Sequence, residues 1–348
     1  MNGTTCPHCS QVNPESQKTC ERCGQSLLWS TLGQRSSQRT FQLPKSALYA
    51  LVGIALGLGA AQFSPSRRSG HPAPVTVSTT APRIDVVFAI DATGSMGDEI
   101  EVVKSKVSKM MTEIQSGNPK PDVRFGLVAY RDHGDAYLTK VYPLTSAVET
   151  IQTSLAQIEA GGGGDTPEAV AEGLNSAVNE MNWDGDANTT RMIFLIGDAG
   201  PHYRDDFRKP VQEARVKGIK VNTWGCSGLQ DSGQQEFTDI ALLGGGQFQF
   251  LTYQQEVVRQ DGSKARLVFQ GKETYEVNTE AKWAEGADSL AEKRHVDSGL
   301  VSAPGASGGA SYRSAVYAPS ASSKMENNLD TVLVNQVKEE ARKKGVSY

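Results

Sequence analysis

Across the middle of the chain, short apolar runs alternate with amphipathic stretches. IDVVFAI (84–90) has the run expected of a strand buried on both faces. After it, Ile100, Val103, Val107, Met110, Met111 and Ile114 recur at helical spacing, which predicts a helix to about Gln115. DVRFGLVAY (122–130) and Tyr137–Tyr142 predict two further strands, and the intervening RDHGDA predicts a hairpin. Helices follow over about 147–158 and 167–181, then a buried strand at RMIFLIGD (191–198). A helix near 204–217, a strand at IKVNTWGC (219–226), a helix near 233–243 and a strand at GQFQFL (246–251) complete the run. Strands alternating with helices predict an α/β, doubly wound, mostly parallel sheet with helices on both faces. In such a sheet the ligand site lies beyond the carboxyl ends of the strands, where strand order switches.

The flanks follow other patterns. SALYALVGIALGLGAAQF (46–63) carries no charge over 18 residues, against about 20 needed to span a bilayer. Arg35, Arg39 and Lys45 precede it and Arg67 and Arg68 follow, with no acidic residue between Glu21 and Asp85. This predicts a single transmembrane helix acting as an uncleaved signal anchor. A cleaved signal peptide, with Gly59-Ala60-Ala61 as its small-residue site, is the rival, but more than forty residues precede the run. Gly53 and Gly57 form a GxxxG pair through which two such helices could form a homodimer. Residues 64–82 are rich in Pro, Ser and Thr and read as a spacer. Beyond the α/β region, residues 253–298 form an extension in which ARLVFQG and ETYEVN predict two strands, a hairpin. Residues 299–323, rich in Gly, Ala and Ser, predict a flexible segment. In 324–348, Leu329, Val332, Leu333, Val337 and Ala341 predict a helix, which either docks on the body or binds a partner.

Charge adds an exclusion. With 35 Lys+Arg against 39 Asp+Glu, the chain is not a nucleic-acid binder by charge alone. The five cysteines are unevenly placed, Cys226 standing far from Cys6, Cys9, Cys20 and Cys23. Those four form two Cys-x-x-Cys pairs separated by ten residues, which aim four thiolates at one tetrahedral Zn²⁺. So short a segment has no core, and the metal would supply its folding energy. Two redox dithiols are the alternative, without the βαβ context they need. Residues 1–29 resemble the compact zinc ribbons at the N-termini of many bacterial membrane proteins, and 30–45 form a basic linker to the apolar run. Zinc thiolates need a reducing compartment. The expected arrangement is therefore a cytoplasmic ribbon and an extracytoplasmic C-terminal body.

Polar residues gather at the expected strand ends. Asp91, Thr93 and Ser95 follow the first strand of the α/β region, Thr166 lies in a glycine-rich loop before a helix, and Asp198 ends a strand. Two carboxylates and three hydroxyls, without imidazole or thiolate, select a hard cation such as Mg²⁺ or Mn²⁺. Helix capping by Asp91 is the alternative and accounts for one motif rather than three.

At these residues the chain resembles the von Willebrand factor A domain, over roughly 83–252. That family carries a metal-ion-dependent adhesion site built from Asp-x-Ser-x-Ser, a separate Thr and a separate Asp. Here they read Asp91-Ala-Thr93-Gly-Ser95, Thr166 in GGGGDTPEA and Asp198 in LIGDAGPH. The resemblance implies that Thr93, Ser95 and Thr166 touch the ion while Asp91 and Asp198 act through water. It also implies that a protein ligand offers a carboxylate to the open position. Thr93 stands where the family has its first Ser; its methyl restricts the rotamer but leaves the hydroxyl. Arg131, His133 and His202 are candidate rim residues, each also readable as a solvated loop residue. Asp165 reads as a loop or helix-start residue rather than a ligand.

Enzyme motifs add little. GASGG (305–309) matches GxSxG without a strand before it, and Gly161–Gly164 lacks the Gly-Lys-Ser/Thr of a phosphate loop. The sequence therefore points to a non-enzymatic, membrane-anchored, divalent-cation-dependent protein-binding module. An intracellular scaffold and a Mg²⁺-dependent hydrolase are the alternatives.

Overall fold

The computed structural model describes residues 81–164, 166–277 and 324–348, with short pieces at 3–5, 12–14, 17, 283–285, 293–297, 301–302, 311–312 and 317–319. The chain divides into two compact units, Met1–Ser78 and Thr79–Tyr348. In the first, β1 (Gly3–Thr5) pairs antiparallel with β2 (Val12–Pro14). Cys6, Cys9, Cys20 and Cys23, and with them the zinc ribbon, lie outside the described residues, as do the apolar run 46–63 and its Gly53–Gly57 pair. Among the described residues no helix is long and apolar enough to cross a membrane.

The second unit opens with β3 (Arg83–Asp91), a 3-10 turn (Gly94–Met96) and α1 (Gly97–Ile114). β4 (Asp122–Tyr130) and β5 (Thr139–Thr145) follow, then α2 (Val148–Ala156) and α3 (Val170–Asn179). β6 (Thr190–Gly197), α4 (Arg208–Val216), β7 (Ile219–Gly225), α5 (Asp231–Leu243) and β8 (Gly245–Phe250) complete the alternation. The six strands lie in the order β5-β4-β3-β6-β7-β8, parallel throughout except for β5, which runs antiparallel beside β4. The antiparallel edge fits the RDHGDA connection, since so short a link cannot make the crossover that a parallel pair requires. From β3 the chain winds outward to one edge, then returns and winds from β6 to the other. The switch point therefore lies between β3 and β6.

Side-chain alternation along β3 divides the core. Ile84, Val86, Phe88 and Ile90 face one layer with the α1 residues Ile100, Val103, Val107 and Met110, whereas Val87 and Ala89 face the other with Leu174, Val211 and Phe237. Burying each such side chain contributes roughly 1.5–3 kcal/mol.

The first layer is completed by the C-terminal third. β9 (Thr252–Arg259), β10 (Lys264–Gln270), β11 (Glu273–Val277) and β12 (Lys293–Val296) form an antiparallel sheet in the order β12-β11-β10-β9. β10 and β11 form the expected hairpin, with Gln270 opposite Glu273. Gly271 takes φ +55 at its tip, a conformation glycine adopts without penalty. Val301–Ser302 (β13) pairs with Ser311–Tyr312 (β14), and Tyr317–Pro319 (β15) and Glu326–Asn327 (β16) both pair with β9. Tyr253, Val257, Leu267, Phe269 and Tyr317 join the same core cluster as α1. The last helix, α6 (Leu329–Arg342), buries Leu329, Leu333, Val337 and Ala341 in that cluster. Lys106 and Lys109 on α1 reach Asp330 at 2.6 and 2.7 Å, which settles the open choice for this helix in favour of docking on the body.

Two helices begin later than their patterns predict. The chain around Pro167 reads as a helix start, yet the Glu168 N–H donates to Gly200 O at 3.0 Å and the Ala169 N–H to Arg131 O at 3.2 Å, so α3 starts at Val170. Near 204, Asp205 and Phe207 N–H groups close short turns on His202 and Asp205, and α4 starts at Arg208.

Candidate metal centre

Asp91 ends β3 with its side chain fully buried. The backbone N–H and the hydroxyl of Thr93 both donate to Asp91 Oδ1, at 2.9 and 2.6 Å, which leaves Oδ2 buried without a hydrogen-bond partner. The Ala92 N–H donates to Tyr130 O at 2.7 Å, continuing the β3–β4 pairing one residue further before the chain turns. That turn carries Ser95 to the surface, near enough to Asp198 at the exit of β6 for its hydroxyl to favour the charged carboxylate. Two loops from the switch-point strands thus meet at a hydroxyl and a carboxylate.

The glycine-rich loop closes the third side. The Gly94 N–H donates to Gly162 O at 3.2 Å, and the Gly161 N–H to Ala92 O at 3.0 Å. Gly163 takes φ +70, and a Cβ there would lie 3.0 Å from Glu168 Oε1 and 3.1 Å from Thr93 Cβ. Only glycine allows this approach. Thr166 is exposed and lines a cavity of about 250 Å³ together with Asp198, Gly200, Tyr203 and Glu236.

The electrostatics are one-sided. Burial, then the nearby Asp198 charge, push Asp91 up to about 7. Burial also raises Asp198. Glu168 is pushed up to about 8 by burial and by Asp91, Asp132 and Asp198, and its Oε2 is also buried without a partner. Burial pushes Glu99, at the start of α1, up to about 8, with Asp98 and Asp198 adding to the effect. Carboxylates in this proximity resist ionising together. The oxygen donors, the unpartnered Asp91 Oδ2 and the shared repulsion all fit a hard divalent cation.

The structure therefore brings Asp91, Thr93, Ser95 and Asp198 into one constellation and sets Thr166 across the cavity from which Asp198 is reached. Asp165 lies outside the described residues. The rim candidates diverge. Arg131 donates to Ala92 O at 3.1 Å and Glu159 O at 2.8 Å, bracing the loops from below. His133 and His202 lie against one another with their rings tilted by 58° and centroids 5.1 Å apart. Sequence reasoning missed Glu168, Glu99, Asp132 and Asp205. Glu168 carried a signal, an acidic residue two positions beyond Thr166, but the helix reading of that stretch concealed it.

The fold and the place of the site together define the comparison: a doubly wound sheet with carboxylates and hydroxyls gathered at its switch point. Residues 85–252 match the family model of the von Willebrand factor A domain. The alpha-protein kinase vwkA of Dictyostelium discoideum is 31% identical over 120 residues, covering 34% of this chain and 19% of its own length. The human von Willebrand factor A domain-containing protein 7 is 29% identical over 183 residues, 49% of this chain and 19% of its own. The chain thus spans about a fifth of the length of each of these relatives. Among solved structures, proximal thread matrix protein 1 of the mussel byssus, with a zinc-occupied MIDAS motif, aligns at TM-score 0.40 and 17% identity, covering 49% of this chain and 42% of that one.

Proposed function

We infer that residues 83–252 form a divalent-cation-dependent protein-binding module. In this reading Thr93, Ser95 and Thr166 ligate Mg²⁺ or Mn²⁺ directly, and Asp91 and Asp198 hold it through water. A carboxylate of the partner protein takes the remaining position. The observation that carries the reading is the buried, unpartnered Oδ2 of Asp91, a charge-bearing atom within reach of Asp198 and without a compensating donor. Binding rather than catalysis is favoured because the Thr93 hydroxyl is engaged with the Asp91 carboxylate rather than with an imidazole that could activate it.

Calorimetric titration of the chain with Mg²⁺ tests this: one site in the wild type, and none in Asp91→Asn combined with Asp198→Asn. Equal binding by both forms would sink the reading. Capture of a partner by the Mg²⁺-loaded chain, lost on chelation, tests the second half.

The membrane anchor and zinc ribbon belong to the same proposal on the strength of the uncharged run 46–63 and of Cys6, Cys9, Cys20 and Cys23. Protease added to intact cells should digest the C-terminal body and spare the ribbon. Protection of the body would favour an intracellular scaffold instead.

A further inference from the structure

Beside the oxygen-rich centre, two loops bring together side chains of different chemistry. Asp132 and His133 lie in the loop after β4, and His202 and Asp205 in the loop after β6. His133 Nε2 stands 3.3 Å from Asp205 Oδ2 and 3.5 Å from Glu172 Oε1. One donor atom each from His133, His202 and Asp205 lie within 4.8 Å of one another. Asp132 Oδ1 is 2.5 Å from His202 Nε2.

We propose that His133, His202 and Asp205 form a second metal site, for zinc or a similar transition cation, separate from the hydroxyl-and-carboxylate centre.

Donor chemistry separates the two sites. Two imidazoles and a carboxylate suit Zn²⁺, Co²⁺ or Ni²⁺, whereas the donors around Thr93 are oxygen alone and suit Mg²⁺. Geometry agrees. A tetrahedral zinc with bonds of about 2.0–2.2 Å holds its donors about 3.3–3.6 Å apart. His133 is 47% exposed and His202 23%, so their side chains have room to close the remaining distance by small rotations. Three protein donors leave a fourth position, which the neighbouring Glu172, water or a partner's side chain can occupy. Asp132 supplies the carboxylate that orients a ligating imidazole, an arrangement recurrent around metal-bound histidines. A plain pair of histidine–carboxylate contacts is the competing account. It explains each pair separately but not the approach of the two imidazoles to one another and to the single carboxylate of Asp205. The inference does not rest on Mg²⁺ binding by the first site, because the two share no ligand.

The test uses the full chain, purified in detergent, with Cys6, Cys9, Cys20 and Cys23 all changed to Ser so that the thiolates take no zinc. Excess Mg²⁺ is present throughout. Added Zn²⁺ should bind at one equivalent per chain, and X-ray absorption at the zinc edge should show imidazole scattering. The additional change of His133→Ala with His202→Ala should abolish that equivalent while leaving the far-ultraviolet dichroism unchanged. Asp132→Asn should weaken zinc about 10–100-fold. Oxygen-only coordination in the parent chain overturns the proposal without reference to any histidine variant, and so does an unchanged zinc equivalent in the double variant.

Discussion

At residue scale, Asp91 meets two opposed demands. Its Oδ1 accepts two hydrogen bonds from Thr93, which favour the carboxylate, while burial and Asp198 disfavour it. The result is a group at about 7 in the folded chain, against a carboxylate's ordinary value of 3.8. Glu168 follows, at about 8 against 4.5. Between those limits the metal-free folded state holds protons that the unfolded chain has released, so metal-free stability should fall as pH rises from about 4 to about 8. A cation competes with the same protons. Melting with and without Mg²⁺ should therefore show a larger stabilisation at pH 8 than at pH 6, of about 2.7 kcal/mol where the ion is at a hundred times its dissociation constant. A stabilisation independent of pH would place the ion elsewhere. Asp91→Asn gives a sharper contrast. Each pKa unit of elevation weighs about 1.4 kcal/mol against the charged form. The amide should therefore raise metal-free stability at pH 8 by on the order of 1–4 kcal/mol, and abolish the response to Mg²⁺. Urea denaturation of both forms checks it, and a destabilised variant that still responds to Mg²⁺ contradicts it.

At element scale, α6 shows what the hydrophobic pattern conveys and what it omits. Residues 329, 333, 337 and 341 recur every four positions, which announces a helix with one apolar face but not the surface that covers it. The covering surface is α1 and the core beside it, reached by long-range contacts that sequence spacing does not encode. Leu333 is fully buried, so Leu333→Ala should cost about 2–5 kcal/mol in urea unfolding. A loss below about 1 kcal/mol would mean that α6 is not docked in solution. The parallel strands were legible because burial on both faces makes them apolar runs, as in β3, β6 and β7. β9 was not. Its sequence TYQQEVVR is polar at the centre, and it is held as a strand by β10, β15 and β16 together rather than by a pattern of its own. The grouping of Asp91, Thr93, Ser95 and Asp198 was legible because they sit just past strands that could be located. Glu168 was concealed by the helix reading of its stretch, and His133 and His202 were named without Asp132 and Asp205 because their loops converge only in space. The start of α3 was misplaced for a related reason: Pro167 suits a first helical turn, but the next two N–H groups find partners in neighbouring loops.

At the scale of the whole second unit, the two ends of the parallel sheet are built for different purposes. At the end away from the candidate metal centre, charges are compensated. Arg124 grips the fully buried Asp85 with two hydrogen bonds, at 2.8 and 2.6 Å, and the Asp184 N–H adds a third at 3.0 Å. Arg83 bridges Asp122 and Asp184 beside them. At the other end, Asp91, Glu168 and Asp198 face one another without a cationic side chain paired to any of them among the described residues. This division gives a test that separates folding from binding. Arg124→Ala strands the Asp85 carboxylate in the interior and should cost about 3–5 kcal/mol. The Mg²⁺ affinity of the folded fraction should nevertheless be unchanged, because Asp85 and Asp91 occupy opposite ends of β3. Combined with Asp91→Asn, the two stability changes should add to within about 0.5 kcal/mol, as expected of distant sites without shared partners. Urea unfolding of the four chains, with calorimetry on the folded ones, decides it. A shift in Mg²⁺ affinity from Arg124→Ala would show instead that the sheet transmits strain along β3, so that the closed end sets the geometry of the open one.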